Sequence, residues 1–383
     1  MSEVRVMSRR RASLLALVLS ASAGVAAELP EAASHLADRG VPPVDYVASK
    51  FEAHEVVLLG EGHWVRHDVE LVRDLVRVHG GRAFGVLASE LYPASEQATI
   101  DRVTAAETWD EAAAMSVLRA SAWPYRQYLD VLREAWAANR DGSGRHLRVL
   151  ALGPGEDWRE RLLPRGETYE TFMAGLVAGQ VGDPASRVLV HVGFHHAFTR
   201  YYQPDQWRGQ RVTRFMDRMG NLLWRQLGQQ VFMVALHPPF LCRDDEEFST
   251  CPPVEGAIDC AADAAGGRPV GFDVAASPFA ALSVRAHYAT GYPDLRLVDL
   301  ADGWVWQARP DALRLVDLIP LEAFAPDDAA LAEVLAHNPF SDEPGLTVED
   351  LPRLWTEEAA RLADVAQRWP WVRQWRAACT APR

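Results

Sequence analysis

Glu61 and His63 stand two positions apart in Gly60-Glu61-Gly62-His63, a carboxylate and an imidazole on a backbone that two glycines let turn sharply. A second carboxylate, Glu90, and a pair of imidazoles, His195 and His196, follow further along the chain. Two carboxylates close together push one pKa up, and a histidine between them can be oriented by one while it shuttles protons for a substrate. The set suits general-base activation of water. His195-His196 adds an imidazole able to polarise a carbonyl, protonate a leaving group or bind a metal. Glu61, His63, Glu90 and His196 together could also assemble a mixed nitrogen and oxygen site for a divalent ion, so metal-free and metal-assisted versions both stand. His63 and His67 have the four-residue spacing of ligands on one helix face, but Trp64 occupies the place of the glutamate in His-Glu-x-x-His.

Each of these groups ends a short apolar run. Val56 to Leu59 precedes Glu61, Ala83 to Ala88 precedes Ser89-Glu90, and Leu147 to Leu152 leads into Gly153-Pro154-Gly155-Glu156-Asp157. Arg187 to Val192 leads into Gly193-Phe194-His195-His196, and Val231 to Leu236 into His237. Apolar runs without alternation are the pattern of strands buried on both faces of a parallel sheet, and the helical periodicity of Trp64 to Val78 and of Pro93 to Asn139 supplies crossovers. The predicted fold is α/β: a mostly parallel central sheet with helices on both faces, a site at the C-terminal ends of the strands, and a C-terminal helical extension. Ligands bind at that edge in open α/β sheets. Catalytic roles are expected for Glu61, His63, Glu90 and His196, and substrate- or ligand-binding roles for His67, His195, His237 and Asp157. Glu90 reaches Glu61 if the first two strands are neighbours. Further strands are expected at Pro269 to Val274, Leu295 to Val305 and Arg314 to Ile319, and helix N-caps at Asp327 and Thr347.

With 383 residues, 49% of them hydrophobic, the chain can bury a large core. Residues 28–325 are expected to form the α/β domain, with a cysteine-containing loop at 238–270, and 326–383 the helical extension. The first 27 residues carry a basic cluster at Arg9-Arg10-Arg11, an apolar run from Ala12 to Leu19 and small residues up to Ala27. That is the pattern of a cleaved secretory signal peptide. The expected mature protein starts near Glu28, has no transmembrane segment, and is periplasmic or secreted. Ser8-Arg9-Arg10 leaves the twin-arginine and Sec routes both open. A formal net charge of −13 argues against nucleic acid, leaving a small molecule as the expected partner. Lys50 is the single lysine and no Gly-x-x-x-x-Gly-Lys occurs, which excludes a P-loop. Cys242, Cys251, Cys260 and Cys379 fit no zinc-ligand spacing and suit one or two disulfides in an oxidising compartment.

A dinucleotide site is the rival suggested by Gly60-x-Gly62 after a strand. Against it, Val65 stands where the third glycine belongs, and Glu61 would bring negative charge to the pyrophosphate position. The absence of Gly-x-Ser-x-Gly argues against an elbow-type serine hydrolase.

Several segments also resemble a known superfamily: Leu58-Leu59-Gly60-Glu61-Gly62-His63, Ala88-Ser89-Glu90 with Gln97, Trp123-Pro124-Tyr125 with Tyr128, and Val192-Gly193-Phe194-His195-His196. They look like the group uniting ChaN-like haem-uptake proteins, erythromycin esterases and the TIKI/TraB proteins, over roughly Val44 to Pro320. The resemblance implies an α/β core with its site at the strand C-termini, where Glu61, His63, Glu90 and His196 match the recurring acidic and histidine positions. It leaves three activities open: an exported hydrolase acting on a small ester or amide, a ChaN-like haem or ligand binder without turnover, and a TIKI-like metal-dependent peptidase. The cofactor is correspondingly unknown, a divalent metal being preferred over haem. Oligomeric state is not readable from the sequence.

Overall fold

The unbroken apolar runs become strands whose alternate residues feed two separate cores, one on each face of the sheet. In the computed structural model the described residues are 29–380, less 122, 143, 156–157, 183–185, 206–213, 243–248, 338–339, 341–342 and 344. The expected signal peptide and Asp157 therefore lie outside the described residues. The sheet is built from β1 (Val56–Glu61), β2 (Val86–Pro93), β3 (Arg148–Gly153), β4 (Val188–Gly193), β5 (Val231–Ala235), β6 (Val270–Asp273) and β7 (Gly303–Trp306), in the order β6-β7-β5-β1-β4-β2-β3. All neighbours pair in parallel except the edge strand β6, which runs antiparallel to β7. On β1, Val57 and Leu59 join the core beneath helices α1 (Arg66–His79) and α2 (Arg126–Asp141), whereas Val56 and Leu58 join the opposite core, beneath α3 (Tyr169–Ala178) and α4 (Ala257–Ala264). A sheet covered on both faces has no solvated face, which is why its strands do not alternate in sequence.

β1 and β2 are not neighbours, contrary to the simplest expectation: β4 lies between them. A parallel pair needs a crossover, and the chain takes the site of β2 beyond a strand that arrives about a hundred residues later in sequence. Leu295 to Val305 is not one strand either. Asp299 Oδ2 accepts from the Arg296 backbone N–H at 2.9 Å and closes a helical turn over Leu297–Leu300, so β7 begins only at Gly303. Arg314 to Ile319 is an extended strap rather than a sheet strand. It makes isolated bridges from Leu315 to Val65 and from Leu318 to Tyr125, and the Val316 N–H donates to the Trp64 carbonyl at 2.9 Å. The strap thereby pins the turn that carries His63.

The C-terminal region, with α5 (Leu351–Ala363), α6 (Val365–Arg368) and α7 (Trp375–Thr380), packs Leu351, Leu354 and Trp355 into the same core as α1 and α2. Asp327 caps its helix by accepting from Ala330 N, and Thr347 forms a capping box with Asp350. Of the two disulfides, Cys242–Cys251 staples the expected loop, while Cys260–Cys379 ties α4 to α7 across 119 residues of chain. Among the described residues no helix is long and apolar enough to cross a membrane.

Candidate functional site

Register places the first part of the site. β1 pairs with β4 so that Leu59 faces His191, which sets Glu61, two residues on and pointing to the same face, diagonally against His191. The contact is 2.5 Å from His191 Nε2 to Glu61 Oε2, wholly buried. Past Glu61 the chain turns at Gly62, whose N–H donates to the buried Asp68 Oδ2 at 3.2 Å, and folds His63 back so that its Nδ1 meets Glu61 Oε1 at 2.8 Å. Trp64 then takes a left-handed backbone, φ 71°, a conformation costly for a bulky residue and held here by its surroundings. Its Nε1 donates to the Tyr125 hydroxyl at 3.0 Å, and that hydroxyl in turn meets Glu358 of α5 at 3.0 Å.

The second part comes from β2 and β4. Pairing of β2 with β3 slips between Ser89 and Pro93, and this irregularity carries Glu90 across the end of β4. Glu90 Oε1 accepts the Gly193 N–H. A Cβ on Gly193 would lie 2.7 Å from His63 Nε2 and 3.1 Å from Glu90 Oε1, so only glycine lets the strand end rest against both groups. His196, just beyond, places Nδ1 2.9 Å from both oxygens of Glu170 at the start of α3. Glu170 is further held by Arg218 Nη1 and the Met219 N–H, each at 2.8 Å.

Two glutamate–imidazole pairs, Glu61–His63 and Glu170–His196, therefore present their remaining Nε2 atoms to one carboxylate, Glu90, at 3.6 Å and 3.5 Å. Those separations exceed good hydrogen bonds, so each Nε2 has room to take up a new partner. Burial opposes ionisation of Glu61, but His191 and His63 outweigh it and hold the carboxyl at about 2. Glu170 is likewise held at about 2, burial being outweighed by His196 and Arg218. Both imidazoles have pKa values raised above the usual histidine range: burial works the other way, yet Glu61 and Glu90 prevail at His63, and Glu90 and Glu170 at His196. Tyr169 stacks on His196, centroids 5.4 Å apart, and Trp123 lies 5.2 Å from the His63 ring. Both line a cleft of about 380 Å³ together with Glu90, Ser121, Trp158 and Arg159.

The structure thus brings Glu61, His63, Glu90 and His196 together. It does not bring His67, His195 or His237 to the cleft. His67 turns towards the backbone of Ala312. His195 points into an aromatic nest, Nε2 2.8 Å from the Tyr288 hydroxyl, where burial and then Arg218 hold its pKa well below normal and the ring neutral. His237 is bonded at both nitrogens, to Asp259 and Trp304, each at 2.9 Å. Sequence reasoning missed His191, Glu170 and Arg218. A signal existed for His191: a lone polar residue inside Val-Leu-Val-His-Val must find a partner once both faces of the strand are covered.

As for a metal, among the described residues no group of three or more His, Cys, Asp or Glu side chains is placed to hold one. Glu61 commits its two oxygens to two imidazoles, which leaves His63 Nε2, His196 Nε2 and Glu90 as the atoms that would have to hold a divalent ion. A haem iron needs an axial nitrogen over an apolar slot, whereas both free Nε2 atoms here face a carboxylate. Haem does not fit this donor set.

No family model and no curated protein matches this chain. Solved structures do. A mutant of the erythromycin esterase EreC in its open conformation is 13% identical, with 68% of this chain and 92% of that one covered and a TM-score of 0.43. A protein of Bacillus cereus is 11% identical, with 76% and 99% covered and a TM-score of 0.45. The type III effector HopBA1 is 14% identical, with 54% and 88% covered and a TM-score of 0.35.

Proposed function

We propose that this protein is a hydrolase that cleaves a small ester or amide by direct attack of water, with no acyl-enzyme. The observation that supports this reading is the convergence of two carboxylate-oriented imidazoles, His63 and His196, on the space beside Glu90. In the proposed reaction His63 Nε2, neutral, takes a proton from water as the water oxygen bonds to the carbonyl carbon. Glu61 fixes the ring and stabilises the imidazolium that forms. The tetrahedral intermediate collapses by breaking the bond to the leaving group, which takes a proton from His196; Glu170 and Arg218 orient that ring. The acid product then leaves, and proton exchange with solvent across Glu90 restores the two imidazoles. Tyr169, whose pKa burial, Glu90 and Glu170 all push upward, keeps its hydroxyl proton and is available as a donor to the substrate carbonyl. The two disulfides suit an oxidising compartment, and we place the reaction outside the cytoplasm.

The test is a screen of short esters and amides followed by rapid-quench kinetics on the best substrate. Product should appear linearly from the first turnover, mass spectra of quenched enzyme should show the unmodified chain, and dialysis against EDTA should leave turnover unchanged. A burst with a trapped acyl adduct, or activity lost to EDTA and restored by one divalent ion, would overturn this mechanism.

A further inference from the structure

Glu90 lines the cleft, with Glu61 and Glu170 held behind the two imidazoles, in a chain of net charge −13, yet two arginines, Arg159 on the cleft wall and Arg368 against Trp64, are bonded to no carboxylate among the described residues. Arg368, the last residue of α6, sets its guanidinium carbon 3.5 Å from the centre of the Trp64 ring. Arg159 sets its own 4.6 Å from the centre of the Trp158 ring. Among the described residues neither guanidinium has a hydrogen-bond or ion-pair partner, whereas Arg66, Arg119, Arg218 and Arg225 are all paired. The two sites belong to one aromatic wall: Trp64 neighbours His63 at 5.6 Å and Trp123 at 5.8 Å, and Trp123 lines the cleft with Trp158 and Arg159.

A largely buried guanidinium with no bonded anion is costly to hold: Arg368 stacks on a tryptophan whose backbone is itself in a left-handed conformation, and the charge of Glu358, which accepts from Tyr125, offsets the burial only in part. Resting on an aromatic face, a guanidinium keeps its in-plane N–H donors free for the forked geometry of a carboxylate or phosphate. We propose that Arg368, assisted by Arg159, receives an anionic group on the substrate, so that the ester or amide hydrolysed here carries a carboxylate or phosphate apart from its scissile bond. This deepens the hydrolytic reading above and rests on it for the reaction, but not for the binding. The C-terminal extension thereby gains a role in the site. The strand ends of β1, β2 and β4 supply proton transfer, and the extension supplies the counter-charge that lets an anion enter an acidic cleft.

Binding and turnover are tested separately. Titration calorimetry at low salt with glutarate, inorganic phosphate and the neutral glutaramide should show saturable binding of at least one anion and none of the amide. The tighter anion identifies the class. Arg368→Met should weaken that binding at least about tenfold and Arg368→Lys less, because loss of a charge-assisted bond is worth at least that factor. Arg159→Met, outside the extension, should weaken it too and serves if Arg368→Met unfolds. Absence of saturable anion binding by the wild type, or binding undiminished in both methionine variants, overturns the proposal. Arginine-dependent binding without hydrolysis of any anionic ester would keep the anion site and remove the hydrolytic reading. Hydrolysis of neutral esters with no anion binding would do the reverse.

Discussion

His63 and His237 both follow parallel strands of one mixed sheet, both contact a carboxylate and both lie against a tryptophan, yet they differ in what is left over. His63 bonds Glu61 through Nδ1 at 2.8 Å and leaves Nε2 3.6 Å from Glu90, with 29% of the side chain accessible. His237 meets Asp259 Oδ1 through Nε2 and accepts the Trp304 indole N–H at Nδ1, both at 2.9 Å, with 6% accessible. Trp306 donates to that same Asp259 oxygen, which closes the group further. An imidazole whose nitrogens are both bonded inside the fold serves as a polar cross-link. One with a nitrogen facing an open cleft can exchange a proton. Position at the strand ends does not separate the two; saturation of the ring does.

The contrast predicts opposite outcomes for the same substitution. His63→Ala should lower kcat by about 10²–10⁴-fold, the usual loss of a general base, with a smaller change in KM. Its far-UV circular dichroism should stay near wild type and its melting temperature should fall only modestly, because buried Glu61 loses one hydrogen-bond partner but keeps His191 and no apolar core is opened. Near-wild-type turnover by this variant would take His63 out of the mechanism. Next in size is the anchor of the His237 group. Cys260 follows Asp259 directly on α4, so Cys260→Ser with Cys379→Ser should cost about 2–4 kcal/mol, read as a lower denaturant midpoint with kcat little changed. His237→Ala should come third. It leaves Asp259 and the Trp304 N–H short of a partner in a buried site, for about 1–3 kcal/mol of stability, with kcat within a small factor of wild type. If His237→Ala abolished turnover in a folded protein, the distinction by ring saturation would be wrong.

The sheet, its mostly parallel sense and the edge that carries the ionisable groups were legible because a strand covered on both faces reads as an unbroken apolar run and because Gly-Glu-Gly-His cannot continue one. Glu61, His63, Glu90 and His196 were legible as candidates for the same reason, lying at or within a few residues of the ends of such runs. What was not legible depends on strand order. Nothing local says that β4 inserts between β1 and β2, and so nothing local says that His191 meets Glu61. Glu170 and Arg218 lie on and before helices whose patterns give no sign that they face His196. Conversely, His67, His195 and His237 carry the same local signal as the residues that do converge, and only their three-dimensional partners distinguish them. The strap at 314–319 has strand-like composition, but its hydrogen bonds go to the turns at Trp64 and Pro124, where no sheet exists to be extended.

The smallest predicted effect sharpens the cleft side of the comparison, and its sign follows from the direction in which each pKa moves. Glu61 and Glu170, held at about 2 against an ordinary glutamate value of 4.5, stabilise the fold fully above that value and lose the contribution as pH falls towards 2. His63 and His196 are raised above 6.5, so their contribution is complete below 6.5 and disappears as pH rises through the raised values. A pKa change of one corresponds to about 1.4 kcal/mol, so the alkaline loss should be a modest fall in melting temperature as the pH rises above 6.5. Replacing both imidazoles by glutamine, which keeps a hydrogen-bond donor to each glutamate but cannot titrate, should flatten that fall while leaving the acid limb in place. Turnover should follow the same groups: a rise as His63 loses its proton and a decline as His196 does, with both limbs above 6.5. An unchanged alkaline fall in the double glutamine variant would mean that the two imidazoles are not the groups the fold protonates.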